Sequence, residues 1–201
     1  MQIQTHYHNL TSKFIAYLWS MSRAVKILPY YTYSDYVKWE GRWEIIDGMP
    51  YAMSPAPSPF HQYVANEIKY EFTKAIKNTN CKQCKVYDFI DIKINEDTVI
   101  QPDGLIVCKP TPGSFLDFPP SLVMEVLSPS TALKDLNNKY IIYQSFGVKY
   151  YVIADPEKLK IDVYQLNDKG IYVLRELTSL HQIPFDLDEC NLQVNLDQVF
   201  V

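Results

Sequence analysis

The chain has no surplus of basic residues: 19 Lys and Arg residues are outnumbered by 23 Asp and Glu residues, and the net charge is −4. Proteins that attract nucleic acid through the electrostatic field of the whole molecule carry more Lys and Arg than Asp and Glu residues. The charge balance counts against that class without excluding it. Acids clustered in a site lower the total charge, and metal ions bound there would offset part of it.

Glycine and long apolar runs are also scarce. Only 6 of the 201 residues are Gly whereas 47% are hydrophobic, a composition typical of a packed protein and not of a disordered or fibrous one. The apolar patch FIAYLW near the amino terminus is too short for a signal peptide and far shorter than the ~20 residues of a membrane span. We therefore expect no membrane anchor, an N-terminal arm over residues 1–24, of which 1–20 are dispensable, and a single domain over residues 25–201.

The four cysteines, at positions 81, 84, 108 and 190, lack the density and spacing of a secreted disulfide framework. This sparsity favours a reducing, cytoplasmic location. Cys81 and Cys84 form a CxxC pair, but a zinc site needs two further ligands, and Cys108 and Cys190 stand alone and far apart in the sequence. The spacing therefore argues against a structural zinc ion.

No internal repeat is present, and the local patterns predict a mixed α/β protein. Apolar residues at 64, 65, 68, 72, 75 and 76 have the period of an amphipathic helix, which we place over residues 61–78. Asp47-Gly48 is a strong hairpin signal. The other predicted elements are a short helix beginning near Ser34 and Asp35, strands at 85–94, 99–108, 121–128 and 149–156, a helix capped near Ser130 and Thr131 that ends at Gly147, and a hairpin turning near residues 168–170.

Two acids lie where strands are expected to be buried. Glu125 interrupts the apolar run SLVMEVLS, and the two-residue period of a strand places it on one face with Val123 and Leu127. A buried ionised carboxylate costs several kcal/mol, at order of magnitude, unless a cation, a metal or hydrogen-bond donors compensate it. Asp103 lies at the start of the preceding apolar strand. If the two strands are neighbours, the acids converge and suit a hard cation such as Mg²⁺.

Lys139 lies on the following helix, at the edge of a stripe formed by Leu133, Leu136, Tyr140 and Tyr143. Its ammonium group can reach the two acids from there. In phosphodiester hydrolysis such a lysine orients the attacking water or stabilises charge on the phosphoryl oxygens, while a metal activates the water. The three residue types are compatible with metal-dependent phosphodiester hydrolysis.

Several motifs follow one another along the chain: WEIIDG, MSPAP, the helix starting at His61, QPD, EVLSPST and KDLNNKYIIYQSFGVKYYVIADP. Together they resemble the Uma2 family of the PD-(D/E)XK nuclease superfamily, and the likeness covers roughly residues 30 to 165. The resemblance implies a restriction-endonuclease-like core, in which a mixed central sheet is flanked by helices. The hairpin at Asp47-Gly48 and the one turning near residues 168–170 would add an N-terminal and a C-terminal hairpin to this core. The resemblance also implies a homodimer that cleaves nucleic acid, with DNA as the expected substrate and Mg²⁺ or Mn²⁺ as cofactor.

The resemblance assigns roles by position. Asp103 matches the acid of the PD motif and Glu125 the acid of the second half-motif, so both resemble metal ligands. The superfamily pattern places a lysine two residues after that acid, but this chain has Leu127 there. Lys139 is the candidate for a lysine that has moved to the next helix. Glu44 and His61 match an acid and a histidine that the family places near the same pocket.

Each of these residues also has an ordinary interpretation. Lys139 is four residues from Asp135 and would form a surface ion pair with it, and Asp103 would be a turn residue at a strand entry. A lysine alone would compensate Glu125, His61 would be a core-edge histidine, and Glu44 a plain cross-strand charge. The alternatives to a nuclease are thus a catalytically degenerate binding module on the same fold, or a hydrolase of a small phosphorylated substrate.

Overall fold

The computed structural model describes residues 28–53, 56–111, 113–128, 134–187 and 190–201, with the backbone alone described for residues 134–136. The predicted N-terminal arm and the capping residues Ser130 and Thr131 lie outside the described residues, as do Leu133 and the side chains of Asp135 and Leu136. Residues 31–201 form one unit. Within the described ranges, no helix is both long and apolar enough to cross a bilayer.

The helices are few. Helix α1 spans Tyr33–Tyr36, α2 spans Pro59–Asn78, and a π-helical segment over Lys134–Lys139 leads directly into α3, Tyr140–Phe146. The strands are β1 Trp43–Ile46, β2 Met49–Ala52, β3 Lys85–Tyr87, β4 Asp91–Lys93, β5 Val99–Ile100, β6 Gly104–Val107, β7 Phe115–Leu116, β8 Leu122–Val126, β9 Tyr150–Asp155, β10 Lys160–Leu166, β11 Tyr172–Leu174, β12 Ile183–Leu187 and β13 Cys190–Val194.

A six-stranded mixed sheet, in the order β11-β10-β9-β8-β6-β3, forms the centre of the fold. Strands β8 and β9 run parallel, whereas the other neighbours in this sheet are antiparallel. One face packs against α2 and the β12-β13 hairpin, and the other face packs against α3 and the second sheet. The predicted fold class, a mixed sheet flanked by helices, is therefore confirmed.

The second sheet has the order β2-β1-β5-β4-β7 and brings the N-terminal hairpin over the central sheet. Asp47 and Gly48 connect β1 to β2, and both have positive φ angles, 51° and 75°. Two left-handed residues in succession are what a tight two-residue hairpin turn requires. The hairpin prediction is confirmed, as is the turn between β10 and β11.

The predictions of single strands at 85–94 and 99–108 were wrong, because each segment divides between the two sheets. The second segment breaks at Gln101 and Pro102, where proline has no N–H for a ladder and the Gln101 N–H donates to Glu44 Oε1 instead (2.9 Å). Residues 85–94 break correspondingly, since β3 pairs with β6 while β4 pairs with β5. Asp103 therefore lies where the chain passes from one sheet to the other.

Three smaller features differ from the sequence prediction. Helix α1 begins at the N-cap residue Thr32, which forms a capping box with Asp35, and not at Ser34. The helix that ends at Gly147 (φ 91°) starts with a π-helical segment. The β12-β13 hairpin was not predicted, although its alternating burial is the ordinary pattern of a half-buried hairpin.

The expectation that Cys108 and Cys190 stand alone was also wrong. The structure pairs Cys81 with Cys190 and Cys84 with Cys108 as disulfides. Cys84 and Cys190 are buried in the core beneath α2, and the other two cysteines pack against that core. The paired cysteines are far apart in the sequence, and they come together only because the β3-β6 ladder and the β12-β13 hairpin bring distant segments into contact.

Candidate active site

Asp103 immediately precedes β6 of the central sheet, and Glu125 lies on the neighbouring strand β8. Strands β6 and β8 pair with Gly104 opposite Met124 and Leu105 opposite Val123, so one further step of this register places Asp103 opposite Glu125. Directly opposed residues of an antiparallel pair have Cβ atoms about 4.5–5.5 Å apart on the same face. The Val126 N–H donates to Asp103 Oδ2 (2.9 Å), which holds that carboxylate against β8.

Glu125 belongs to a buried ionic network centred on Lys139. The Lys139 ammonium lies 2.8 Å from Glu125 Oε1 and 2.8 Å from Glu44 Oε1, and all three side chains are at most 3% exposed. The Tyr143 hydroxyl donates to Glu125 Oε1 as well (2.8 Å). For Lys139 the interpretation as a surface ion pair is wrong, and Glu44 is not a plain cross-strand charge, because each is buried and bonded to another element.

Asp103 is held on its other side by His61. Helix α2 begins after the N-cap residue Ser58, whose hydroxyl accepts from the His61 N–H, and this places the imidazole at the inner side of the first turn. His61 Nε2 lies 3.3 Å from Asp103 Oδ2. Burial alone would raise the pKa of Asp103, but the His61 hydrogen bond and charge, the Val126 N–H and the Lys139 charge together lower it below its ordinary value. Asp103 is therefore an ionised carboxylate at neutral pH.

A polar chain extends this site to the second sheet. The Gln101 side chain accepts from Arg42 Nε (2.6 Å) and donates to Asp91 Oδ1 (2.8 Å), while the Tyr36 hydroxyl donates to Asp91 Oδ2 (2.9 Å). These bonds fix Gln101, whose backbone N–H in turn fixes Glu44. The segment that carries Asp103 is thus anchored on both sides.

Asp103 and His61 line a cleft of about 400 Å³ beside α2. Its walls include Arg42, Lys69 and the half-exposed ring of Phe89. The Arg42 guanidinium lies 3.8 Å from the centroid of that ring, and the Lys69 ammonium pairs with Asp88. The cleft therefore presents two cations and an aromatic surface next to the carboxylate.

Sequence reasoning missed Arg42, Gln101 and Tyr143 as members of this site. Only Tyr143 had a usable local signal, because it follows Lys139 by four residues and so shares its helix face. Arg42 and Gln101 are 59 residues apart, and their contact depends on the pairing of β1 with β5. A local pattern carries no information about such a partner.

We expect Tyr143→Phe to lower the free energy of unfolding by about 1.5–3 kcal/mol, because it removes a buried hydrogen bond to a charged group. Chemical denaturation of both proteins measures this difference. Tyr140→Phe is the matched control, since the Tyr140 hydroxyl makes only a 3.4 Å bond to the Tyr172 carbonyl and that variant should lose less than about 1 kcal/mol. Equal losses in the two variants would contradict a specific role of Tyr143 in supporting Glu125.

The chain is similar to known proteins in sequence and in fold. A family model, Uma2, described as "Putative restriction endonuclease", matches residues 33–195. "Uncharacterized protein slr1290" of Synechocystis sp. (strain ATCC 27184 / PCC 6803 / Kazusa) is 29% identical over 150 residues, which cover 70% of this chain and 76% of that protein. The crystal structure of "a putative nuclease belonging to DUF820" from Anabaena variabilis ATCC 29413 superposes with a TM-score of 0.67 and 15% identity, covering 84% of this chain and 97% of that one. The fold is therefore shared with that nuclease-like structure, and the chain belongs to the Uma2 family.

Proposed function

We propose that this protein is a metal-dependent nuclease that hydrolyses phosphodiester bonds in DNA. The observation that supports it most is the register of β6 and β8, which pairs Gly104 with Met124 and, continued by one residue, would bring Asp103 opposite Glu125. Asp103 lines a cleft with cationic walls, whereas Glu125 is buried, and a pair of acids that shares a metal ion suits phosphodiester hydrolysis. Membership of the Uma2 family is consistent with this chemistry.

Asp103 and Glu125 are the proposed ligands of Mg²⁺ or Mn²⁺. Hard cations of this kind bind through one or two carboxylates and keep several waters. Within the described part of the chain, Glu44, Asp103 and Glu125 do not form a set whose ligand oxygens all lie within 4.8 Å of one another. A bound ion would therefore take two protein carboxylates, and Glu44 would serve Lys139. Such an ion would lower the pKa of a water bound to it and would neutralise charge on the phosphoryl oxygens.

The remaining residues then have distinct roles. Lys139 is proposed to orient the attacking water or to stabilise the phosphoryl charge, with Glu44 holding its ammonium in place. His61 orients the Asp103 carboxylate through its 3.3 Å contact. The Tyr143 hydroxyl donates to the same Glu125 oxygen that Lys139 contacts, which restrains the orientation of the acid.

The cleft supports a nucleic acid as the substrate. Arg42 and Lys69 are cations that suit phosphate oxygens, and the exposed Phe89 ring offers a stacking surface for a base. The overall charge of −4 does not oppose this local arrangement, because the buried acids of the site contribute to that total. The homodimer implied by the family resemblance and the cytoplasmic location inferred from the sparse cysteines stay predictions.

The direct test is nicking of supercoiled plasmid by the purified protein with Mg²⁺ or Mn²⁺, compared with the same reaction in EDTA. We expect nicked circles only with the divalent ion.

We expect Arg42→Ala to weaken DNA binding. It should also reduce the slope of the logarithm of the binding constant against the logarithm of the salt concentration by about 1. Arg175→Ala is the matched control, because Arg175 contacts the Pro184 carbonyl and Phe185 and does not line the cleft. A salt-independent affinity, or no nicking with either metal, would contradict the proposal.

One observation favours a second candidate, a degenerate nuclease fold that acts as a binding module. Lys139 lies 2.8 Å from each of two buried glutamates, so a lysine alone compensates these acids without any metal. The absence of a lysine at Leu127 points the same way. This candidate predicts a folded protein that neither takes up Mn²⁺ at the site nor nicks DNA.

A further inference from the structure

All four cysteines of the chain meet in one cluster beside the C-terminal end of α2, although they come from separate parts of the sequence. Cys81 follows the helix, where Asn80 adopts a left-handed conformation (φ 54°) and the Cys81 N–H donates to the Ile76 carbonyl. Cys190 begins β13, whose hairpin packs on α2. The end of the helix is thereby tied to the C-terminal hairpin.

The other two cysteines are cross-strand neighbours at the edge of the central sheet. Cys84 precedes β3 and Cys108 follows β6, and these strands pair with Lys85 opposite Val107. The next pair in that register is Cys84 and Cys108, whose Cα atoms are 3.9 Å apart. The sheet edge therefore presents two sulfurs toward the end of the helix.

The sulfurs of the two pairs are also close to each other. Those of Cys81, Cys84 and Cys190 lie within 4.8 Å of one another, and Cys108 is bonded to Cys84. Two independent disulfides need contact only within each pair. Tetrahedral zinc with Zn–S bonds of about 2.3 Å places its four sulfurs about 3.8 Å apart. The sulfurs of Cys81, Cys84 and Cys190 are already near that spacing, and the Cys108 side chain would have to turn toward them once its bond to Cys84 is reduced.

We propose that the reduced chain binds one Zn²⁺ through Cys81, Cys84, Cys108 and Cys190. The CxxC spacing of the first pair is common in structural zinc sites. Four thiols would lose four protons as the ion binds, leaving a tetrathiolate complex of charge −2 with no open position. This zinc site and the two disulfides exclude each other, because they use the same four sulfurs.

The surroundings suit such a complex. Cys84 and Cys190 are 3% and 4% exposed, so the ion would be shielded from water, as in structural sites. The ion would join the helix end, the sheet edge and the C-terminal hairpin, a stabilising role that is independent of the proposed nuclease chemistry.

The test uses the full chain after reduction with a phosphine, which supplies two electrons to each disulfide and becomes the phosphine oxide. After anaerobic removal of the phosphine, cobalt(II) is titrated as a spectroscopic probe and then displaced with Zn²⁺. We expect one cobalt per chain with thiolate-to-cobalt charge-transfer and tetrahedral d–d bands, which Zn²⁺ abolishes. Zinc should also raise the midpoint of thermal unfolding relative to the reduced protein in chelator.

Two variants separate this site from the active site. Cys190→Ser should weaken cobalt and zinc binding by more than the roughly 10–100-fold that loss of an outer-shell partner costs. Asp103→Asn should leave the thiolate bands unchanged. Absence of charge-transfer bands from the reduced wild-type chain, or selective uptake of iron in place of zinc, would overturn the proposal, as would bands that persist undiminished in Cys190→Ser.

Discussion

Replacement of Lys139 with Met is expected to lower the free energy of unfolding by about 3–5 kcal/mol. The substitution keeps much of the aliphatic volume but removes the ammonium that lies 2.8 Å from both Glu44 and Glu125. Two carboxylates then remain buried without their cation, and burial of an uncompensated charge is among the most costly changes in a protein interior. Urea denaturation followed by circular dichroism at neutral pH measures the loss.

Lys149→Met is the matched control for this experiment. Lys149 also pairs with an acid, Asp186, at 3.0 Å, but both side chains are substantially exposed and the pair is screened by water. Its loss should cost less than about 1 kcal/mol. A loss in Lys139→Met no larger than in this control would show that Lys139 does not compensate the buried acids.

A triple variant distinguishes charge compensation from packing. Adding Glu44→Gln and Glu125→Gln to Lys139→Met leaves no charge in the Lys139 network, so part of the lost stability should return. Nicking activity should not return, because both the proposed ligand and the proposed lysine are then absent. Recovery of stability without activity would show that the ionic network stabilises the fold and that a compensated interior alone does not support nicking.

The need for this network could be predicted from the sequence. An acid within SLVMEVLS had to be buried if the run formed a central strand, and a buried acid requires a partner. Strand β8 is buried along its whole length, with Glu125 on the face of Val123. Lys139 was the candidate because its helix follows directly. The period of the side chains therefore predicted which residues face the core. The cost of burying a charge predicted that an acid among them needs a compensating partner.

The route of the chain through QPD could not be predicted in the same way. The sequence predicts one strand over residues 99–108, yet β5 and β6 belong to different sheets because Pro102 interrupts the ladder between them. Similarly, the separations of Cys108 and Cys190 from the CxxC pair concealed a cluster that depends on long-range strand pairing. Local periodicity defines which faces are apolar, whereas the partner of each strand is decided by the packing of the whole domain.

Asp103→Asn is expected to lower metal-dependent nicking by at least the roughly 10²–10³-fold that loss of one electrostatic stabiliser costs an enzyme. The amide keeps the shape of the side chain and a hydrogen-bond acceptor for the Val126 N–H, but it lacks the negative charge that a divalent ion requires. Initial rates of plasmid nicking and calorimetric titration with Mn²⁺ measure the two effects. Denaturation of the same preparation shows whether the variant is folded.

Asp88→Asn is the matched control, because Asp88 lines the same cleft but is largely exposed and pairs with Lys69. It should retain Mn²⁺ uptake and most of the nicking rate.

If Asp103 and Glu125 hold one ion together, the double variant Asp103→Asn with Glu125→Gln should nick DNA little more slowly than either single variant. Either substitution alone already prevents the two acids from binding the ion together. Independent, multiplicative losses would indicate that the two acids act in separate steps, and unchanged Mn²⁺ binding in Asp103→Asn would remove Asp103 from the metal site altogether.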